Sequence, residues 1–554
     1  MSVCKQCQSS FRIDDSDLAF YKKMEVPEPV SCPQCRLIRR LQERNTHKLY
    51  YRKCDFTGRK ILSAYHEKQP FPVYDQAVWW SDALDAMDYG QEFDFNRPFF
   101  EQFKTLTEKV PHFSVFIVGG TLQNSDFTNC VGYLKNCYLI FEADYNEDCA
   151  YSNRIYHSKN LLDCTNGYEM ECCYECIDCT KGYRLHHSQD CENCSDSFFL
   201  KNCIGCKNCI GCIGQHHKEY MIFNEQYSHE EYENKKAVMR LETHEGIQKI
   251  AEKAFSLFQK QPHKATEGQH NQNVLGDHVY SSKNAFHCFD CKDLEDCRYC
   301  VKVASSVKNS MDYTAWGFKA EWMYDSSSCG DSAYNIRFCS NCTTNISNLT
   351  YCVQCASCSD CFGCIGLKKK KYCIFNKQYS KEDYHRTVEQ IVEHMAKTEE
   401  WGQYFPADLC PFGYNETIAM DFFPLSKEEA LRRGYKWCDY ETPPPEVEKI
   451  IPASRLPNRI SDVPDDILNW AVRCEITDRP FRVTGPEFSF YRFMNLPIPK
   501  RHPDQRYVER MEKRPPYQLW SRKCAKCQSE IQTTYSPDRP EVVYCEECYL
   551  SEVY

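Results

Sequence analysis

The sequence predicts a mainly β, multi-domain protein: two narrow cysteine-rich β-solenoids of about 12 residues per coil, with helical caps, flanked by duplicated zinc-ribbon modules. Three observations predict it. Cysteines recur on every third residue over a long stretch, the stretch occurs twice, and the two ends of the chain match each other.

The first stretch carries the argument. Cys137, Cys149, Cys164, Cys173, Cys176, Cys179, Cys191, Cys194, Cys203, Cys206, Cys209 and Cys212 share one phase, and Cys172 stands off it. The positions between them on that phase, from Ile140 and Ala143 to Ser197 and Leu200, are uncharged. With 26% charged residues overall, chance gives such a run with probability on the order of 0.001. A strand buries alternate residues and a helix every third or fourth, and neither holds a strict three for so long. A coil that turns a corner every few residues can. Spacings of twelve recur, as in Cys179 to Cys191 to Cys203. The residue before an inward cysteine is often Asn or Asp (Asn136, Asp148, Asp163, Asp178, Asp190, Asn193, Asn202, Asn208). These types tolerate left-handed backbone and suit corners. Cysteine, a compact hydrophobe, suits a thin core.

The elements follow in order. Residues 1–75 form an N-terminal zinc-ribbon module with Cys4, Cys7, Cys32 and Cys35 in two CxxC pairs. Residues 76–123 are rich in Trp and Phe and read as a helical cap over an open solenoid end. Residues 124–222 are the first solenoid. Ser228 with Glu231 opens a capping box, so 223–262 is a helical segment that blocks edge-to-edge stacking. Residues 272–376 are the second solenoid, because 200–232 align without gaps on 352–384: FNEQYSHEEY matches FNKQYSKEDY. Its cysteine phase slips by one residue before Cys352, which places a bulge near 343–351, and Asp312 and Glu321 break the pattern over 307–333. A helix at 380–403 and a proline-rich linker at 404–470 follow. The C-terminal module, 471–554, carries Cys524, Cys527, Cys545 and Cys548.

The two modules are copies. Residues 4–54 align on 474–524, and each copy keeps one of two possible four-cysteine sites. The other has decayed, to Cys54 and Thr57 in the first copy and to Cys474, Thr477, His502 and Gln505 in the second. Four thiolates in two CxxC pairs suit a structural, tetrahedral Zn²⁺ and leave no open position for a catalytic water, so two structural zinc ions are expected. Both copies also carry arginines at i, i+4 and i+8: Arg36, Arg40 and Arg44, with Arg39 beside them, and Arg506, Arg510 and Arg514. On helices these form basic faces. One reading is phosphate contact with nucleic acid or a ribonucleoprotein; the other is a solvated face, or pairing with neighbouring acids such as Asp14, Asp15 and Asp17.

CPQCR with Arg44-Asn45, KNCYL, FNKQYS, PFGYNET and the closing YCEECY resemble a group of large cysteine-rich proteins with terminal zinc ribbons, predicted from genomes of uncultured bacteria. The resemblance covers most of the chain and implies organisation, not activity.

Composition bounds the rest. The net charge is −10, and it divides into +6 over residues 1–70, +2 over 470–554 and −18 between them. An acidic body repels nucleic acid in general while a basic head could touch it locally. No run of about 18 apolar residues suggests a membrane span. The odd total of 39 cysteines and the ribbon spacing suggest reduced thiols and a cytoplasmic location. A secreted, disulfide-laced solenoid is the alternative. The runs Cys203 to Cys212 and Cys352 to Cys364 read as core thiols, with an iron–sulfur cluster or extra metal as alternatives. His186-His187 and His216-His217 should point outward, and Asn146, the one strongly polar inward residue, should bond to local backbone. No catalytic motif stands out. The function expected is a zinc-stabilised, non-enzymatic binding scaffold with a macromolecular partner. Alternatives are a metal- or redox-buffering protein, or an enzyme with its site between solenoid and cap.

Overall fold

The computed structural model describes residues 1–553 and consists mostly of strands, with helices at the ends and between two large sheets. The first large sheet runs from Leu122–Gln123 to Glu225–Gln226 and the second from Gly268–Gln269 to Lys377–Gln378. Within each, successive passes of the chain pair in parallel. In the first sheet the partner lies twelve residues on: Asn153 opposite Thr165, Leu161 opposite Cys173, Cys209 opposite Met221.

Local backbone explains the period of three. Every third residue from Cys130 to Phe223 has positive φ, including Asn136, Asp148, Asp163, Asp178 and Asn208. Each is a corner, and the residue after it points inward. The predicted inward track is buried throughout: Cys137, Ile140, Asn146, Ile155, Cys164, Cys176, Ser188 and Cys203 are examples, none more than 4% exposed. A corner frees the inward residue's N–H from the ladder. The corner N–H reaches back thirteen residues (Asn136 to the Gln123 carbonyl, 2.9 Å) and the next but one reaches forward eleven (Tyr138 to the Cys149 carbonyl, 3.0 Å). The inward N–H instead meets the inward side chain one pass earlier: Cys164 N to Ser152 Oγ at 2.9 Å, Cys209 N to Ser197 Oγ at 2.9 Å, Ser158 N to Asn146 Oδ1 at 3.0 Å. The same side chains donate to the carbonyl two residues back, as Ser152 Oγ does to Ala150 at 2.9 Å and Cys179 Sγ to Ile177 at 3.2 Å. A buried N–H left unpaired is costly. The core therefore calls for side chains that are small and can both donate and accept, which cysteine and serine are. Asn146 fits as expected, its amide donating to the Asp144 and Ile155 carbonyls at 3.0 and 2.8 Å.

The second sheet keeps the corners but adds a residue per pass in its middle. Val301 pairs with Thr314, Met311 with Tyr324 and Ala333 with Ile346, an offset of thirteen. Doubled left-handed corners at Ser305-Ser306, Phe318-Lys319, Asp331-Ser332 and Thr344-Asn345 supply the extra residue. The single slip predicted near 343–351 is thus the last of four, and three of them return Cys339 to the phase of Cys300. The track continues through 307–333, where Asp312 and Glu321 predict a break: Val307, Tyr313, Met323 and Cys329 are fully buried. Asp312 is a corner, not an inward residue. Beyond Ser347 the offset returns to twelve.

Each sheet ends in a short antiparallel hairpin and a helix. His229–Met239 is capped by Ser228 and Lys381–Lys397 by Ser380. The aromatic segment packs its helix on the second sheet, and only its end, at Ile117 and Leu122, meets the first sheet, which it precedes. On its helix Phe99–Lys109, Phe99 packs on Phe362 and Phe375 and Phe103 on Phe405, and Gln91 N bonds the Phe375 carbonyl. The proline-rich segment is packed in its first half, where Tyr404, Cys410, Tyr414 and Ile418 are buried, and exposed around 441–444.

The terminal modules repeat each other at an offset of 470 to their last helices. Hairpin Tyr50–Lys53 with Lys60–Ser63 matches Trp520–Lys523 with Glu530–Thr533, and helix Pro33–Gln42 matches Pro503–Glu512.

Candidate metal centres and the buried arginine clamps

The four sulfurs of Cys4, Cys7, Cys32 and Cys35 lie within 4.8 Å of one another, as do those of Cys524, Cys527, Cys545 and Cys548. Cys7 and Cys32 are 3.7 Å apart and Cys527 and Cys545 3.8 Å. A tetrahedron with metal–sulfur bonds of about 2.3 Å has edges of about 3.8 Å, so both sets suit one four-coordinate ion. Turn geometry builds the sites. Left-handed Gln8 and Gln528 follow the first CxxC pairs, and backbone N–H groups face the sulfurs, Cys32 N to Cys4 Sγ at 3.2 Å and Cys545 N to Cys524 Sγ at 3.3 Å. Burial alone would raise the Cys524 thiol, but the N–H groups of Cys527, Cys545 and Lys526 bring it down to about 6. The Cys35 thiol does the most to lower Cys32, to about 5. Thiolates are the ligand form.

The decayed sites keep the turn without the ligands. Thr57 N still faces Cys54 Sγ at 3.4 Å, and Asp75, the counterpart of Cys545, points its N–H at the same sulfur at 3.3 Å. In the other copy His502 replaces a ligand and caps a helix, its Nδ1 accepting from Asp504 N at 3.0 Å.

The structure corrects the reading of the arginine faces. They do not look to solvent. Arg36, Arg40, Arg506, Arg510 and Arg514 are at most 5% exposed, and only Arg39 and Arg44 are half-buried. From helix Pro33–Gln42, Arg36 Nε meets Asp312 at 2.8 Å, and Arg40 meets Asp325 at 2.8 Å, Asp312 at 3.1 Å and Thr314 at 3.0 Å. Arg39 adds a 3.5 Å contact to Asp325. From helix Pro503–Glu512, Arg506 and Arg510 share Asp163 at 2.5 and 2.8 Å, and Arg510 also reaches Thr165. Just past that helix, Arg514 holds Asp178 through two bonds of 2.9 Å and Asp290 at 2.7 Å. Each module therefore grips the sheet of the opposite half, and through Arg44 and Arg514 it also reaches the sheet of its own. A buried charge must be paired, so these guanidiniums are committed and cannot also take phosphates.

The two clamps correspond one for one where the sheets meet. Arg44 and Lys302 converge on Glu142, with Lys302 Nζ 3.1 Å away, and Arg514 and Arg154 converge on Asp290, with Arg154 at 2.6 Å. In both sets the cation from the opposite sheet is the counterpart of the other, twelve residues after that sheet's own acid. Burial brings Lys302 down to about 8 although Glu142 opposes it. Burial would raise Asp290, but Arg514 and Arg154 hold it well below the usual carboxylate range.

A third group went unread in the sequence. His278 presents Nδ1 to Asp277 at 3.1 Å and Nε2 to Asp190 at 3.0 Å, with Asp178 3.9 Å away. Both ring nitrogens face carboxylates, so the ring is an imidazolium; burial opposes the charge, and Asp277 and Asp178 outweigh it. Asp178 and Asp190 were legible as corners, but their meeting with His278 joins residues far apart in the chain.

Within the sheets thiols neighbour one another along the ladders, as Cys206 does Cys194, Cys203 and Cys209, and among the described residues they close into no metal-binding set. Their sulfurs also bond carbonyls, as Cys176 does to Leu185 at 3.1 Å and Cys206 to Gln215 at 3.2 Å. Off-phase Cys172 is a buried corner against the C-terminal module. Of the four histidines expected outside, none lies on the inward track, but His186 is 3% exposed, covered and stacked on Phe198 at 4.3 Å. Among the described residues no helix is long and apolar enough to cross a membrane. Neither protein-family models nor curated proteins match the chain, so the resemblance to terminal-ribbon proteins rests on its own motifs.

Proposed function

We propose that the protein is a zinc-stabilised scaffold in which two metal-bound modules lock a pair of narrow β-solenoids into one rigid body. The clamps carry this reading: Arg36 and Arg40 of one module and Arg506 and Arg510 of the other are spent on ion pairs with the opposite sheet, and Arg514 ties Asp178 of the first sheet to Asp290 of the second. A left-handed corner at every third residue and partners twelve residues on support closed coils of about four sides. Zn²⁺ suits the four-thiolate sets, and each ion would hold a module that has little core of its own. A macromolecular partner, the role such a scaffold serves, would meet the outer solenoid faces and not the arginine helices. The acidic middle of the chain disfavours nucleic acid there.

Elemental analysis of the purified chain tests the reading, followed by hydrogen exchange before and after chelation. The expected result is two zinc ions and no iron, with chelation deprotecting residues 1–80 and 471–553 first while the solenoid core stays protected. Iron, or many more than two metal ions, would transfer the function to the interior thiols and defeat the scaffold reading.

A further inference from the structure

The internal duplication exposes a vacancy. Stepping back along the ladders from the matched pair Ile210 and Phe362 leads to Phe198 and Thr350, and then to His186 and Arg337. In the second half Arg337 bridges to the N-terminal module, Nη1 donating to the Met24 carbonyl at 2.9 Å. Met494 is the counterpart of Met24 at the end of helix Gly485–Met494. Glu25 and Asn495, the residues that follow, are both left-handed. In the first half His186 is too short to make that bridge. A cleft of about 360 Å³ lies there instead, lined by both His186 and Met494.

We infer that this cleft binds an alkylguanidinium cation in the place that Arg337 fills in the other half. The two places correspond by the duplication, Met494 for Met24 and His186 for Arg337, although side chains around them differ, as Phe198 for Thr350 and Glu233 for His385, so what the molecule itself supplies as a guide is a guanidinium against the carbonyl that ends a helix. Phe198, Leu241 and Leu496 give the cleft an apolar wall for a methylene chain. At its rim Asp196 is near Arg184 at 3.8 Å and Glu242 is paired with Arg459 at 3.1 Å. Glu233 supplies a further rim carboxylate, and two cations, Arg184 and Lys236, also line the cleft, the second lying 5.6 Å from the Tyr232 ring centroid. Burial holds His186 neutral, so the floor does not repel a cation. The guanidinium can belong to a small molecule or to an arginine of a partner chain.

Titration calorimetry on the full chain with n-butylguanidine tests this. Saturable one-to-one binding is expected, at least tenfold tighter than n-butanol. His186→Arg, which copies the other half, should weaken it at least tenfold, and Glu233→Gln, on an exposed helix face, severalfold. Retained metal content and circular dichroism identify variants that fold. Acetyl-Gly-Arg-Gly-amide separates the sources: tighter binding than n-butylguanidine points to a partner's arginine, weaker binding to a free cation. No saturable binding by either probe, or unchanged binding by folded His186→Arg, overturns the inference. The outcome is independent of the scaffold reading, which stands or falls on zinc and module protection.

Discussion

Arg40→Ala tests the clamp directly. The guanidinium is fully buried and pairs with Asp325, Asp312 and Thr314 at 2.8 to 3.1 Å. Alanine removes the cation and leaves two carboxylates beneath the module. Asp312 keeps Arg36, and Asp325 keeps only the longer 3.5 Å contact to Arg39, so the loss is carried mainly by Asp325. Breaking a buried pair from one side costs about 3–5 kcal/mol, which is roughly a hundred- to several-thousandfold in an opening equilibrium. A chain of several parts has no single unfolding free energy, so the measurement should be local: hydrogen exchange of peptides covering 33–42 and 310–326. Both should lose protection together, because the contact joins them, while peptides over 190–215 stay protected. Arg40→Ala with Asp325→Asn should recover part of the loss, since the stranded charge is then gone. Lys135→Ala, at an exposed pair with Glu147, should change nothing measurable. Native protection in Arg40→Ala, or a loss no larger than surface pairs give, would refute the buried-clamp argument.

Two further outcomes follow from the interior and from His278. Ser197→Ala strands the Cys209 N–H and the Ser195 carbonyl, bonded at 2.9 and 2.6 Å, and should cost about 1–3 kcal/mol in local opening. Ser197→Cys should cost much less, and the account of the cysteine-rich core fails if cysteine is no better there than alanine. For His278 the folded-state pKa lies well above the usual value, so its contribution is full below the unfolded pKa of about 6.5 and fades as pH rises through the folded value. Exchange protection over 272–280 should therefore fall between neutral and alkaline pH in the native chain, and His278→Gln should flatten that dependence. An identical pH profile in the variant would remove the imidazolium from the account.

The inward track, the corners and the metal tetrads were legible because each follows from local rules. A corner at every third residue forces a period onto burial, and a CxxC turn carries its own geometry, so spacing alone reveals both. Asn and Asp before the inward cysteines marked the left-handed positions for the same reason. The four one-residue insertions were partly hidden because three of them restore the phase, leaving a visible slip of one. The arginine helices show where local reading stops. Their i, i+4, i+8 spacing determines a basic face and cannot say what covers it, because Asp163, Asp312 and Asp325 lie hundreds of residues away; Asp163 was readable only as a corner, Asp312 only as a break in the pattern, and Asp325 went unread. The crossing of each module onto the opposite half, the aromatic cap on the second sheet and the Asp190–His278–Asp277 contact were decided by tertiary structure alone. Burial and charge pairing act between surfaces, and only the folded chain determines which surfaces meet.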